Sequence, residues 1–136
     1  MGKNTKLFGG GFHHVAIRVS DFDRSMRFYT EGLGFTVARA WGGAGKNRAV
    51  MLDTGDGNYF ELFERDPADV PSEAVYLHAA IRTSDCDKAI QVARDAGAEI
   101  TVEPKDVEIQ SSPPFPVRIA FFKGPDGEII ELFQEK

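Results

Sequence analysis

The sequence predicts an α+β fold made of two tandem βαβββ modules, and three observations carry that prediction. HVAIRVSD at 14–21 recurs as HAAIRTSD at 78–85, and DGNYFELFE at 56–64 recurs as DGEIIELFQ at 126–134, in the same order in both halves. Within each half, short apolar runs bounded by Gly, Pro and Asp surround one stretch with helical spacing. The chain has 136 residues, 42% hydrophobic and 27% charged. That is enough for one compact core, whereas a lone module of about 60 residues would be marginal.

Residues 1–10, rich in Gly and Lys, read as a flexible N-terminal arm. The rest, 11–136, reads as a single domain, with module 1 at about 12–65 and module 2 at about 76–134. Module 1 opens with a strand at 12–19. Ser20 or Asp21 can cap the helix that follows, along which Phe22, Met26, Tyr29 and Leu33 recur at helical spacing. Gly32 or Gly34 stops it. Strands at 35–41, 48–53 and 58–64 complete the module. Module 2 repeats the plan with a strand at 76–83 and a helix capped by Ser84 or Asp85. Cys86, Ala89, Ile90, Ala93 and Ala96 form that helix's apolar stripe, and Gly97 ends it. Strands at 98–102, 117–122 and 128–134 follow. DTGDG and GPDG turns introduce the last strand of each module. The interval between the matched segments is longer in the second half, and the Pro-rich stretch 111–116 is the expected site of the extra residues.

The net charge is −5, and no Lys/Arg cluster is long enough to track a phosphate backbone, which excludes a nucleic-acid partner. No run approaches the roughly 20 apolar residues of a membrane span, and the first residues lack the apolar stretch of a signal peptide. Cys86 is the single cysteine, so no disulfide forms within the chain. A reducing, cytoplasmic setting is expected, with Cys86 as a small core residue.

Side chains alternate along strands. In the first strand His13, Val15, Ile17 and Val19 form a row expected to pack beneath the helix, which leaves His14, Ala16 and Arg18 on the other face. In the repeat, Leu77, Ala79, Ile81 and Thr83 form the packed row and His78, Ala80 and Arg82 the opposite one. Glu61 shares its face with Tyr59 and Phe63, and Glu131 shares its face with Ile129 and Phe133. A carboxylate among apolar neighbours is costly unless compensated. Two His and two carboxylates suit a divalent transition metal, and Ala16 and Ala80 leave room beside the His side chains. A wet outer sheet face, with each Glu paired to Arg18 or Arg82, is the competing reading. Matched placement in both halves favours the metal.

The strand-borne His of H-x-A-I-R-x-S-D, the helix exit Phe28-Tyr29-x-x-x-Leu33-Gly34-Phe35 and the closing P-D-G-x-x-I-E-L resemble the vicinal oxygen chelate superfamily over about 12–134. That group holds glyoxalase I, methylmalonyl-CoA epimerase, extradiol dioxygenases, fosfomycin-resistance enzymes and bleomycin-binding proteins. The resemblance implies paired βαβββ modules forming a cupped, barrel-like mixed sheet, with His14, Glu61, His78 and Glu131 as metal ligands. It implies one divalent ion per site (Zn, Ni, Co or Mn) and a glyoxalase I-like lyase or isomerase that moves a proton on a substrate chelated through two oxygens. Glu131 is then the catalytic base. Glu61 anchors the ion and shares the catalytic work, and Arg18 holds an anionic substrate end. Tyr59, Phe63 and Phe133 line the substrate, with Trp41 an ordinary core residue. The alternatives are an extradiol-type dioxygenase, an epimerase-like isomerase and a non-catalytic small-ligand binder. Phe63-Glu64-Arg65 stands where glyoxalase I carries a glutathione-holding Asn, and Ser-Pro-Pro-Phe-Pro replaces its Gly/Lys-rich loop. Exposed sheet edges predict a homodimer.

Overall fold

The computed structural model describes residues 2–32, 34–43, 45–69, 75–123 and 129–136. Along the chain run β1 (Gly9–Val19), α1 (Phe22–Arg27), β2 (Thr36–Gly42), β3 (Arg48–Asp53) and β4 (Tyr59–Glu64). Then come β5 (Tyr76–Thr83), α2 (Cys86–Asp95), β6 (Glu99–Ile109), β7 (Phe115–Lys123) and β8 (Ile129–Glu135). This is the α+β order predicted, βαβββ twice.

The chain divides into two compact units. The first holds 14–77 with 110–113, and the second holds 1–13, 78–109 and 114–136. In the first unit the strand order is β2-β3-β4-β1, with β1 and β4 parallel and the other neighbours antiparallel. In the second it is β5-β8-β7-β6, again with one parallel pair, β5 and β8. The parallel pair in each unit needs a crossover, which its helix provides.

Both helices start at an aspartate. Asp21 Oδ1 accepts from the Arg24 amide at 3.0 Å, and Asp85 Oδ1 accepts from the Lys88 amide at 3.0 Å. Each satisfies a donor that a helix start leaves open. α1 sets Phe22 and Met26 against Val19, Val50, Leu52 and Leu62, joined by Ile17 and Phe60. α2 sets Cys86, Ala89, Ile90 and Ala93 against Ala120 and Leu132, joined by Ile81 and Ile100. Ile17, Val19 and Ile81 therefore face the helices, as alternation predicts. Each fully buried Leu contributes about 1.5–3 kcal/mol.

A second repeated device fastens helix to sheet. Arg48 reaches Asp23 of α1 at 3.0 Å and Glu64 at 2.8 Å, and Arg118 reaches Asp87 of α2 at 2.7 Å and Asp106 at 3.1 Å. Hydrogen bonds from the Arg48 guanidinium hold the Glu64 carboxyl below its ordinary range, and those from Arg118 do the same for Asp87.

Four local features depart from the sequence reading. The first helix ends at Arg27 and continues as a π-turn, Phe28–Gly32. There Thr30 Oγ1 donates to the Met26 carbonyl at 2.6 Å, the side-chain competition that loosens a helical turn. Gly34, at φ 78, then takes the left-handed position that releases the chain. Leu33 and the GPDG turn lie outside the described residues. The extra residues of the second half extend a hairpin rather than its loop: β6 has 11 residues and β7 has 9, against 7 in β2 and 6 in β3. Register shifts between Ile100 and Lys105 accommodate Pro104 in β6, which among the described residues pairs with β7 alone. The N-terminal segment, expected as a loose arm, is docked on the second unit. Leu7 and Phe8 pack on the α2 core, and the Ser84 amide and hydroxyl both donate to the Phe8 carbonyl at 2.8 Å. Lastly, His13 does not join the row beneath α1. It belongs to the second unit and stacks on Phe133 at 4.1 Å.

Candidate functional site

Each unit carries one buried His–Glu pair, built the same way. In the first, β1 and β4 run parallel with Ala16 opposite Glu61. His14, two residues earlier on β1, brings Nε2 to 3.9 Å from Glu61 Oε2. In the second, β5 and β8 run parallel with Ala80 opposite Glu131, and His78 Nε2 lies 3.0 Å from Glu131 Oε2. Ala16 and Ala80 are fully buried, and their methyl groups leave the space each carboxylate occupies. His14 is 2% exposed, Glu61 4% and Glu131 5%; His78 is half-buried.

The surroundings are apolar. Glu61 is in register with the fully buried Met51, and Glu131 with Phe121, whose ring meets His78 edge-on at 5.4 Å. Ala80, Val117 and Phe133 form a small core on the Glu131 face. A carboxylate in such a place needs a compensating charge. An imidazole supplies one only when protonated, whereas a divalent cation serves imidazole and carboxylate together. Donors about 2.1 Å from a shared ion stand about 3.0–3.4 Å apart. The 3.0 Å separation in the second unit falls in that range, and the 3.9 Å separation in the first is wider. The residues present fit a divalent metal by donor type and burial, and in the second unit by spacing.

The remaining expected site residues fall into place as follows. Tyr59 is half-buried and in register with His14. Phe63 is half-buried, in register with Arg18, edge-on to Trp41 at 6.0 Å and covered by the Arg65 guanidinium at 5.3 Å. Arg18 is half-buried, and its amide donates to the Val75 carbonyl at 2.7 Å. Phe133 is 3% exposed, packed between His13 and Phe115, so it backs the Glu131 face from within the core. Arg82 donates to the Phe12 carbonyl and serves as a tie within the second unit. Sequence reasoning passed over Arg39 and Met51. Their registers place both on the Glu61 face, and Arg39 Nη1 lies 3.8 Å from Met51 Sδ. The only signal was alternation along β2, which a register shift between Val37 and Arg39 interrupts.

A βαβββ unit made twice, with a histidine on the first strand and a glutamate on the last, defines a class of paired-module chelating proteins. The family model of the Glyoxalase/Bleomycin resistance protein/Dioxygenase superfamily matches residues 11–132, and the chain belongs to that superfamily. It is 34% identical to a probable lactoylglutathione lyase of Vibrio cholerae, over 90% of this chain and 89% of that one. It is 32% identical to a putative lactoylglutathione lyase of Brassica oleracea, over 90% of this chain but only 44% of the longer plant protein. Its fold is similar to the crystal structure of methylmalonyl-CoA epimerase from Mycobacterium tuberculosis, with TM-score 0.75 and 23% identity, covering 98% and 93% of the two chains. No helix among the described residues is long and apolar enough to cross a membrane.

Proposed function

We propose that the protein is a metal-dependent lyase or isomerase of the glyoxalase I kind, in which the two His–Glu pairs hold one divalent ion. The observation that carries this reading is the duplicated pair itself: His beside Glu, in the same register, with the Glu buried in each unit. His14, His78 and Glu131 are a two-histidine, one-carboxylate donor set of the kind that holds such an ion; Glu61 stands outside that cluster, 3.9 Å from His14, and would supply a fourth donor. Zn, Ni, Co and Mn are all suited to this mixture of imidazole and carboxylate.

When bound, the ion supplies Lewis-acid chemistry, withdrawing electron density from two neighbouring substrate oxygens. The chain's own residues do the rest. Glu131 takes a proton from one substrate carbon and returns it to the next, work for which an apolar, water-poor setting suits a carboxylate. Glu61 anchors, with a share in the proton transfer. Arg18, on the Glu61 face, holds an anionic substrate end. Tyr59 and Phe63 keep water out, with Trp41 bracing the Phe63 ring. The names of the Vibrio and Brassica relatives support a hemithioacetal as substrate. A fourth protein donor at Glu61, in place of an open position, would favour proton transfer over oxygen chemistry.

The test is elemental analysis of the purified protein beside a substrate panel of hemithioacetals, acyl-CoA thioesters and catechols. One ion per chain and turnover of a hemithioacetal are expected. Oxygen uptake with a catechol would assign a dioxygenase instead. A protein that takes up no ion would reduce the site to a ligand-binding fold.

A further inference from the structure

We propose that Arg39 is a specificity-determining residue that binds a carboxylate on the substrate, on the opposite side of Glu61 from Arg18. The inference rests on the proposed function above and deepens it. Arg39 of β2 is in register with Met51 of β3, and Met51 with Glu61 of β4, so the three stand in one row on one sheet face. The 3.8 Å approach of Arg39 Nη1 to Met51 Sδ fixes the side chain on that face. The next row reads Trp41, Ala49, Phe63 and Arg18. β4, which carries Glu61, therefore lies between β1 with Arg18 and β2 with Arg39.

Strands are spaced about 4.8 Å apart, so the Arg39 backbone is about 10 Å from that of Glu61. The long arginine side chain covers much of that interval. Its head would meet a substrate group a few bonds from the chelating oxygens. Arg39 is half-buried beside the thioether of Met51, with Trp41 following two residues later on the strand. An apolar lining keeps its stem in place and lowers the local dielectric, which strengthens a charged contact. A guanidinium offers parallel N–H donors that match the two oxygens of a carboxylate. At the matched place in the second half stands Val102, in register with Phe121 as Phe121 is with Glu131. Among the described residues of the two matched rows, only the first has a cation.

The probes are two hydroxamates, each chelating through adjacent oxygens and differing in one group: butanohydroxamic acid and succinic monohydroxamic acid. Binding of each to the zinc-loaded protein is measured by calorimetry for the wild type, Arg39→Ala, Arg39→Lys and Arg18→Ala. The wild type should favour the carboxylate-bearing probe by roughly 10- to 100-fold, the scale of a charge-assisted contact. Arg39→Ala should lose that preference while zinc content and affinity for the neutral probe stay the same. Arg39→Lys should keep part of it. If both probes bind and Arg39→Ala retains the full preference, or the preference vanishes only in Arg18→Ala, the assignment of Arg39 is overturned and the reading of the site stands. If neither probe binds the zinc-loaded protein, the reading of the site fails and the role of Arg39 fails with it.

Discussion

Glu131→Gln separates chemistry from chelation. The change keeps the shape of the side chain opposite Ala80 and removes the charge, the basic oxygen and little else. The amide oxygen can still face an ion, and His14, Glu61 and His78 are untouched, so most of the metal should remain. Turnover should not survive so well. A positioned base supplies about 10²–10⁴-fold, or about 3–5 kcal/mol in the barrier. The water-poor setting of Glu131, 5% exposed and 3.0 Å from His78, gives solvent little room to substitute for it. The assay is metal content by elemental analysis together with initial rates at saturating hemithioacetal, for Glu131→Gln and Glu61→Gln. A large loss of rate at near-full occupancy is expected for Glu131→Gln and a smaller one for Glu61→Gln. If Glu61→Gln is the inactive variant, the base is on the first unit. If both keep full activity, neither carboxylate moves the proton and the mechanism is wrong.

Four further outcomes follow from the same reasoning. Stripping the ion with a chelator should lower thermal stability, because two buried carboxylates lose their counter-charge; with the ion at 100–1,000 times its dissociation constant the linkage is about 3–4 kcal/mol, and an unchanged Tm after confirmed metal removal would count against the site. Burial, reinforced by Asp87, pushes the Cys86 thiol up to about 12. It should resist thiol reagents at pH 8 until the protein unfolds, and stability should decline as pH rises past the ordinary thiol range of about 8.5, since only the unfolded thiol ionises there. Glu64, Asp87 and Asp106 are held low by Arg48, by Arg118, and by Lys136 with Arg118 respectively, so their contribution is present above the ordinary carboxylate range and disappears as acid titrates the folded state. Thermal melts should drop below about pH 4, and Arg118→Met should flatten that drop. Light scattering over a wide concentration range should give a dimer, and a monomer throughout would refute the edge-strand argument.

Much of the fold was legible because it is written twice. Helix caps at Asp21 and Asp85, the buried rows Ile17–Val19 and Ile81, and the eight-strand order came from alternation and repetition. What escaped depends on contacts far apart in sequence. The Gly/Lys composition of the first ten residues reads as disorder, yet Leu7 and Phe8 find the apolar surface left by α2 and β6. β6 contains Pro104, which argues against a strand until it is known to be an edge strand. The π-turn at Phe28–Gly32 has a helix's hydrophobic spacing, and only the Thr30 hydroxyl distinguishes it.

The site was legible in proportion to its symmetry. The four proposed metal ligands occur as repeat-related pairs, and the strand pairing places His beside Glu in both units. Repetition also hides what one half alone carries, because it highlights only what both halves share. A metal ion accepts equivalent donors from two like modules, but a substrate with different ends needs unlike walls. Residues that read such a substrate must sit where the halves differ, and comparison of the halves discards those positions as noise. Arg39 against Val102 is one such difference, and the bulge beside Arg39 obscured the alternation that would have placed it. The chelating chemistry of a duplicated fold is therefore found in its matches, and its choice of substrate in its mismatches.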